Sequence, residues 1–131
     1  IDNVIFKGFV EKKYIPYILS RSSVNVLNYS QANYNWSRGN SSNKLFEYMA
    51  SGKPIISTVK MGYCILDKYQ CGLSLEECTA KALAEQILKI HDMPEEAYAQ
   101  MAENEKNGAK DFDFPVLTEK LYQVIKRVEK D

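Results

Sequence analysis

The residues best placed to do chemistry lie together in Ser41-Ser42-Asn43-Lys44 and, three positions further on, at Glu47. Leu45, Phe46, Met49 and Ala50 share one face at helical spacing, Ser42 or Asn43 can cap the start, and Gly52 suits the position just past the last turn. The first turn of an α-helix carries backbone N–H groups without an intrahelical acceptor, here predicted to be those of Ser41, Ser42 and Asn43. Together with the positive end of the helix dipole they attract an anion, and phosphate is the natural candidate. The plainer alternative is a helix start satisfied by its own caps and by water. Glu47 stands one turn into the helix. A carboxylate there can accept two hydrogen bonds from vicinal hydroxyls, as acidic residues do for ribose in dinucleotide sites. Its plainer alternative is a surface glutamate paired with Lys44.

Other constellations are weaker. Gly39-Asn-Ser-Ser-Asn-Lys44 is only a partial match to a P-loop, because the second glycine is missing and Leu45 stands where Ser or Thr would hold magnesium. The single histidine, His91, has no nucleophile or ligand pattern beside it and is assigned a structural role near a helix end. Cys64, Cys71 and Cys78 are odd in number and evenly spaced, which suits unpaired thiols better than a disulfide framework or a zinc site. No catalytic triad and no metal site can be assembled from the sequence.

The elements that must position Ser42 and Glu47 can be read from periodicity and breakers. Asn3–Gly8 is an apolar run ending in glycine and is predicted to be a strand. Tyr14, Ile15, Ile18 and Leu19 predict a helix over 11–21 that opens near Pro16. Ser23–Leu27 is predicted to be a second strand, and the polar stretch from Asn28 to Ser42, with Tyr29, Tyr34 and Trp36, a long functional loop. After the helix that carries Glu47, Pro54 forbids continuation and Ile55–Thr58 reads as a short buried strand. A helix at Ile65–Tyr69 and a strand at Gly72–Leu75 follow. The remainder is helical: one helix capped by Thr79, one opened by Pro94 and running to about Ala109, and one begun at Pro115. Leu117, Leu121, Val124, Ile125 and Val128 are the expected inner face of the last. Strands alternating with helices predict an α/β fold, a partial Rossmann-like parallel sheet with flanking helices. In such sheets ligands bind at the carboxyl ends of the strands, where Gly8-Phe9-Val10, the loop after Leu27 and the residues after Thr58 would all lie.

Composition bounds the partners. The chain has 131 residues, 45% hydrophobic and 26% charged, with 17 basic and 17 acidic side chains. That is the composition of one globular domain, and zero net charge argues against a nucleic-acid coat. The charge is uneven: residues 1–70 hold nine bases and four acids, a balance that suits a small anionic ligand. No apolar run approaches a membrane span, and Ile1 to Lys7 lacks the features of a signal peptide, so the expected location is cytoplasmic.

The stretch Ser42-Asn-Lys-Leu-Phe-Glu-Tyr-Met-Ala-Ser-Gly-Lys-Pro-Ile-Ile-Ser57 resembles the nucleotide-sugar-binding motif of retaining glycosyltransferases of the GT-B fold, family 4. The similarity extends to Asn3–Val10, Tyr17–Leu27, Cys71–Ser74 and Phe112–Phe114. The resemblance implies a donor site for a UDP- or GDP-sugar, with Glu47 on the ribose hydroxyls and Ser41, Ser42 and Asn43 cradling the diphosphate. It also implies that Phe9 and Val10 meet the base through their backbone, with Lys44 adding charge nearby. It implies transfer to a carbohydrate or lipid-linked acceptor, a retaining mechanism, no metal cofactor, no role for nucleic acid, and a place in polysaccharide assembly, which allows peripheral attachment at the inner membrane face.

Two departures qualify the resemblance. The family's paired acid, which helps to hold the transferred sugar, belongs eight positions before Glu47, where this chain has Gly39. The family's enzymes have two Rossmann-like domains, and residues 1–131 resemble only the later part of the second. The chain is therefore expected to be a partial donor-binding domain, inactive alone, from which the acceptor domain and the first strands of the donor domain are absent. The unpaired sheet edge this would leave is expected to drive dimerisation or a segment swap. A nucleotide-sugar-binding module without turnover and a sugar-nucleotide epimerase of the same fold are the alternative functions.

Overall fold

The computed structural model describes residues 2–29, 39 and 42–129 of the chain. A 3-10 turn at Lys12–Tyr14 leads into α1 (Ile15–Arg21), β1 (Asn25–Leu27), α2 (Asn43–Ser51), β2 (Ile55–Ser57), α3 (Ile65–Tyr69) and β3 (Gly72–Ser74). Three helices follow: α4 (Ala80–His91), α5 (Glu95–Lys110) and α6 (Phe114–Val128). The strands form one parallel sheet in the order β1-β2-β3, with Leu27 opposite Ser57 and Ser57 opposite Ser74. Parallel neighbours need a crossover, and α2 and α3 supply the two crossovers. The fold class is the α/β arrangement that the strand–helix alternation predicts.

Local chemistry accounts for the element ends. Pro16 and Pro115 sit in the first turns of α1 and α6, where a missing N–H is harmless. The Thr79 hydroxyl accepts the Ala82 amide at 3.1 Å and caps α4. α2 ends at Gly52, whose φ of 63° lies in the left-handed region, and the side chain of Lys106 occupies the space a Cβ would need there. Acidic Glu95 and Glu96 open α5 at its positive end.

The central strand explains the core. Every residue of β2 is buried, and successive side chains point to opposite faces. Ile55 joins Leu27, Leu45, Met49, Ile65, Leu66 and Cys71 in one cluster, while Ile56 joins Leu75 and Ile90 in another. The first cluster is closed by Phe46 and Phe112, whose rings lie 4.5 Å apart, with Tyr69 edge-on to Phe112. α2 therefore sits between the sheet and α5, and it carries the residues singled out above.

Three expectations are corrected. Asn3–Gly8 does not form a strand: Asp2 and Asn3 make a turn, residues 4–11 have no regular structure, and Phe6 is 92% exposed. A strand needs a neighbour for its backbone donors and acceptors, and β1 pairs only with β2 among the described residues. The last helix forms as expected, but its apolar face does not pack inward: Leu121 is 61% and Val128 72% exposed, along with Leu117, Val124 and Ile125. Helical periodicity created that stripe, and no described element covers it. Ala50, expected on the buried face of α2, is exposed, because Leu45 and Met49 carry the contact with the core.

Met49→Ala is expected to destabilise the chain by about 2–5 kcal/mol, the range for removing a large buried apolar side chain. Leu121→Ala, on the uncovered stripe, is expected to change stability by less than about 0.5 kcal/mol. Equilibrium urea denaturation of the two variants beside the wild type checks both values.

Candidate functional site

α2 begins at the carboxyl edge of the sheet. Ser42 occupies its N-cap position in an extended conformation, and its carbonyl accepts the Leu45 amide at 3.0 Å. The Ser42 hydroxyl does not cap the helix; it shares a 2.5 Å hydrogen bond with the Tyr29 hydroxyl. Tyr29 follows β1, and its amide donates to Thr58 Oγ1 at 2.8 Å, just past β2. Thr58 in turn donates its amide to the Leu27 carbonyl at 3.0 Å. The ends of β1 and β2 and the start of α2 are thus tied into one unit. Asn43 and Lys44 open the first turn, where backbone donors lack intrahelical partners.

Glu47 lies on the flank of the same helix, exposed and without an ion pair among the described residues, so the alternative pairing with Lys44 does not form. It faces a groove of about 450 Å³ between α1 and α2. Ile15, Pro16 and Leu19 of α1 and Ala50 of α2 give that groove an apolar wall, while Lys12, Ser20, Ser51 and Lys106 add polar groups. The arrangement offers a carboxylate acceptor at one side, two cations, and an apolar surface on which a flat ring could rest. Phe9 and Val10 lie on the strap that leads into Lys12; Phe9 is 92% exposed, Val10 is half-buried, and neither lines the groove.

Gly39, where the resemblance expects an acid, has φ of 79°, and a Cβ there would meet the Tyr63 carbonyl oxygen at 2.7 Å. A side chain at this position requires the backbone to move. In the second turn of α2, Tyr48 has its phenol pKa raised, chiefly by burial and further by Tyr29 and Glu47. Lys60, beyond β2, has its pKa raised by its hydrogen bond to Glu76.

Of the residues predicted for a site, the structure gathers Ser42, Asn43 and Lys44 into the first turn of α2 and sets Glu47 one turn later on the groove. Ser41, Tyr34 and Trp36 lie outside the described residues. His91 is exposed and bonded to Asp92 at 2.8 Å at the end of α4, away from this edge. The three cysteines are free; Cys71 is buried, Cys64 half-buried and Cys78 exposed. Sequence reading missed Thr58 and the hydroxyl of Tyr29 as the anchors of the helix start, and Lys12 and Lys106 as groove residues. Only the position of Thr58 at the end of an apolar strand hinted at its role.

A family model described as glycosyl transferases group 1 matches residues 1–108. The chain belongs to this family, and its fold is that of a GT-B Rossmann-like domain. Among solved structures, sucrose-phosphate synthase from Thermosynechococcus elongatus is similar, with a TM-score of 0.74 and 20% identity. The match covers 98% of this chain and 31% of that one, so the chain spans about a third of the length of its structural neighbour. No curated protein matches the chain. No helix among the described residues is long and apolar enough to cross a membrane.

Thr58→Val is expected to lower stability by about 0.5–1.5 kcal/mol, because the part-buried Tyr29 amide loses its acceptor while the shape is kept. Urea denaturation measures the loss. Hydrogen exchange of peptides spanning the end of β1 and the start of α2 should quicken in the same variant.

Proposed function

We propose that the chain is the donor-binding part of a glycosyltransferase that moves a sugar from a UDP- or GDP-sugar to a carbohydrate or lipid-linked acceptor, with retention of configuration and without a metal cofactor. One observation carries this reading. A helix start anchored at the carboxyl edge of a parallel sheet is followed, one turn on, by a carboxylate facing a groove. The diphosphate would sit at the amino end of α2, against the amides of Ser41, Ser42 and Asn43, with Lys44 nearby. Glu47 would accept the ribose hydroxyls, and the base would lie toward the backbone of Phe9 and Val10. As the bond to the sugar breaks, negative charge grows on the departing diphosphate, and fixed helix-terminal donors favour that charge. Glu47 orients the nucleotide and takes no part in proton transfer. With Gly39 unable to carry a side chain as it stands, contacts to the transferred sugar come from other residues.

The acceptor side is assigned to parts of a longer protein, and the chain by itself would carry out no transfer. On its own, the free edge of β1 and the exposed apolar residues Val4, Ile5 and Phe6 would favour pairing with a second copy or a segment swap. The glycine at position 39 also favours a second reading, a module that binds the nucleotide sugar without turnover.

Glu47→Ala in the intact protein is expected to weaken UDP or GDP binding at least tenfold, about 1.4 kcal/mol, with stability unchanged because the side chain is exposed. Calorimetry with each nucleotide tests this, and unchanged affinity would remove Glu47 from the site. Nucleotide-sugar binding with no donor consumption and no glycosylated product would favour the non-transferring module. Light scattering of the isolated chain is expected to show a dimer, and a stable monomer would count against edge pairing.

A further inference from the structure

Glu105, on the face of α5 that packs toward α2, is the only buried charged residue among those described. Its exposure is 0%, and neither carboxyl oxygen has a hydrogen-bond partner. The packing around it is tight. The stem of Lys106 covers Gly52, and Gly108 lies so close to Met49 and the Tyr69 ring that a Cβ would not fit. From the turn between α2 and β2, the Lys53 amide comes near enough to favour the ionised form slightly, without the geometry of a hydrogen bond. The ionisable groups that face Glu105 are the Cys71 thiol ahead of β3 and the Tyr98 phenol on α5 itself. Neither carries positive charge, so the Lys53 amide is the one group favouring a carboxylate here, and burial outweighs it. Burial pushes the Glu105 pKa from 4.5 up to about 9.

We propose that Glu105 is a proton-controlled latch: neutral, it lets α5 close over α2 and the Gly52–Lys53 turn, and on losing its proton it drives that seam open. The inference concerns the seam and stands apart from the identity of any ligand. The sign follows from linkage. In the opened seam the carboxyl meets water and regains an ordinary pKa, so opening releases a proton. The opening constant is flat below about pH 4.5, rises with pH by up to about tenfold per unit, and levels above about pH 9. α2 is the helix on which the proposed donor site is built, so the latch would also set how firmly that site is held.

Cys71 is a built-in reporter, because it is fully buried, faces Glu105, and belongs to the core cluster against which Ala109 of α5 packs. Exposed Cys78 supplies the reference for the ordinary pH dependence of a thiol. In the intact protein, alkylation of the two cysteines is followed by peptide mass spectrometry from about pH 6 to about pH 9. The wild type is compared with Glu105→Gln, which keeps the shape without the charge, and with Glu105→Leu, which removes both oxygens. The Cys71 to Cys78 rate ratio in the wild type is expected to climb against that of either variant, by up to about tenfold per pH unit. A wild-type profile parallel to that of the leucine variant overturns the latch, even if the glutamine variant is itself loosened by its unpaired amide.

Discussion

The short chain of hydrogen bonds from Thr58 through Tyr29 to Ser42 holds the start of α2 at the carboxyl edge of the sheet. Without it, the start of the helix Asn43–Ser51 would have no polar tie to the strand ends, and apolar contacts alone have little direction. With it, the ends of two parallel strands and the first turn of one helix share a fixed geometry. Such a helix start can favour an anion only if its donors stay where the anion sits, which gives the anchorage its functional weight.

At its other end α2 is held by different means. Gly52 takes the left-handed conformation that ends the helix, Lys106 lies over it, and Glu105 is sealed beneath α5 without a partner. The two ends therefore differ in character: the first is satisfied by polar bonds, and the second is close-packed around a carboxyl group that burial shifts toward its neutral form.

The uncovered surfaces form a pattern as well. The free edge of β1, the apolar strap at Val4–Phe6 and the stripe along α6 are all apolar or unpaired, and none is closed by a described element. Isolated apolar residues on a surface are ordinary, but a helix with an entire exposed apolar stripe is not.

Most of the local structure was legible in the sequence because its causes are local. Pro16, Pro94 and Pro115 mark helix starts, Thr79 caps α4, Gly52 ends α2, and the apolar run at Ile55 and Ile56 could only be a short buried strand. The candidate first turn and Glu47 were legible for the same reason, since a cap and a one-turn spacing are properties of a few consecutive residues. What tertiary structure decided was whether apolar patterns found partners. Asn3–Gly8 and the face of α6 carry sound periodicity, yet burial and pairing depend on a second surface that the pattern itself does not specify. The same holds for Thr58, Tyr29 and Glu105. Each draws its role from neighbours distant in the chain, and only folding could show that two of them anchor a helix while the third sits buried with no hydrogen-bond partner among the described residues.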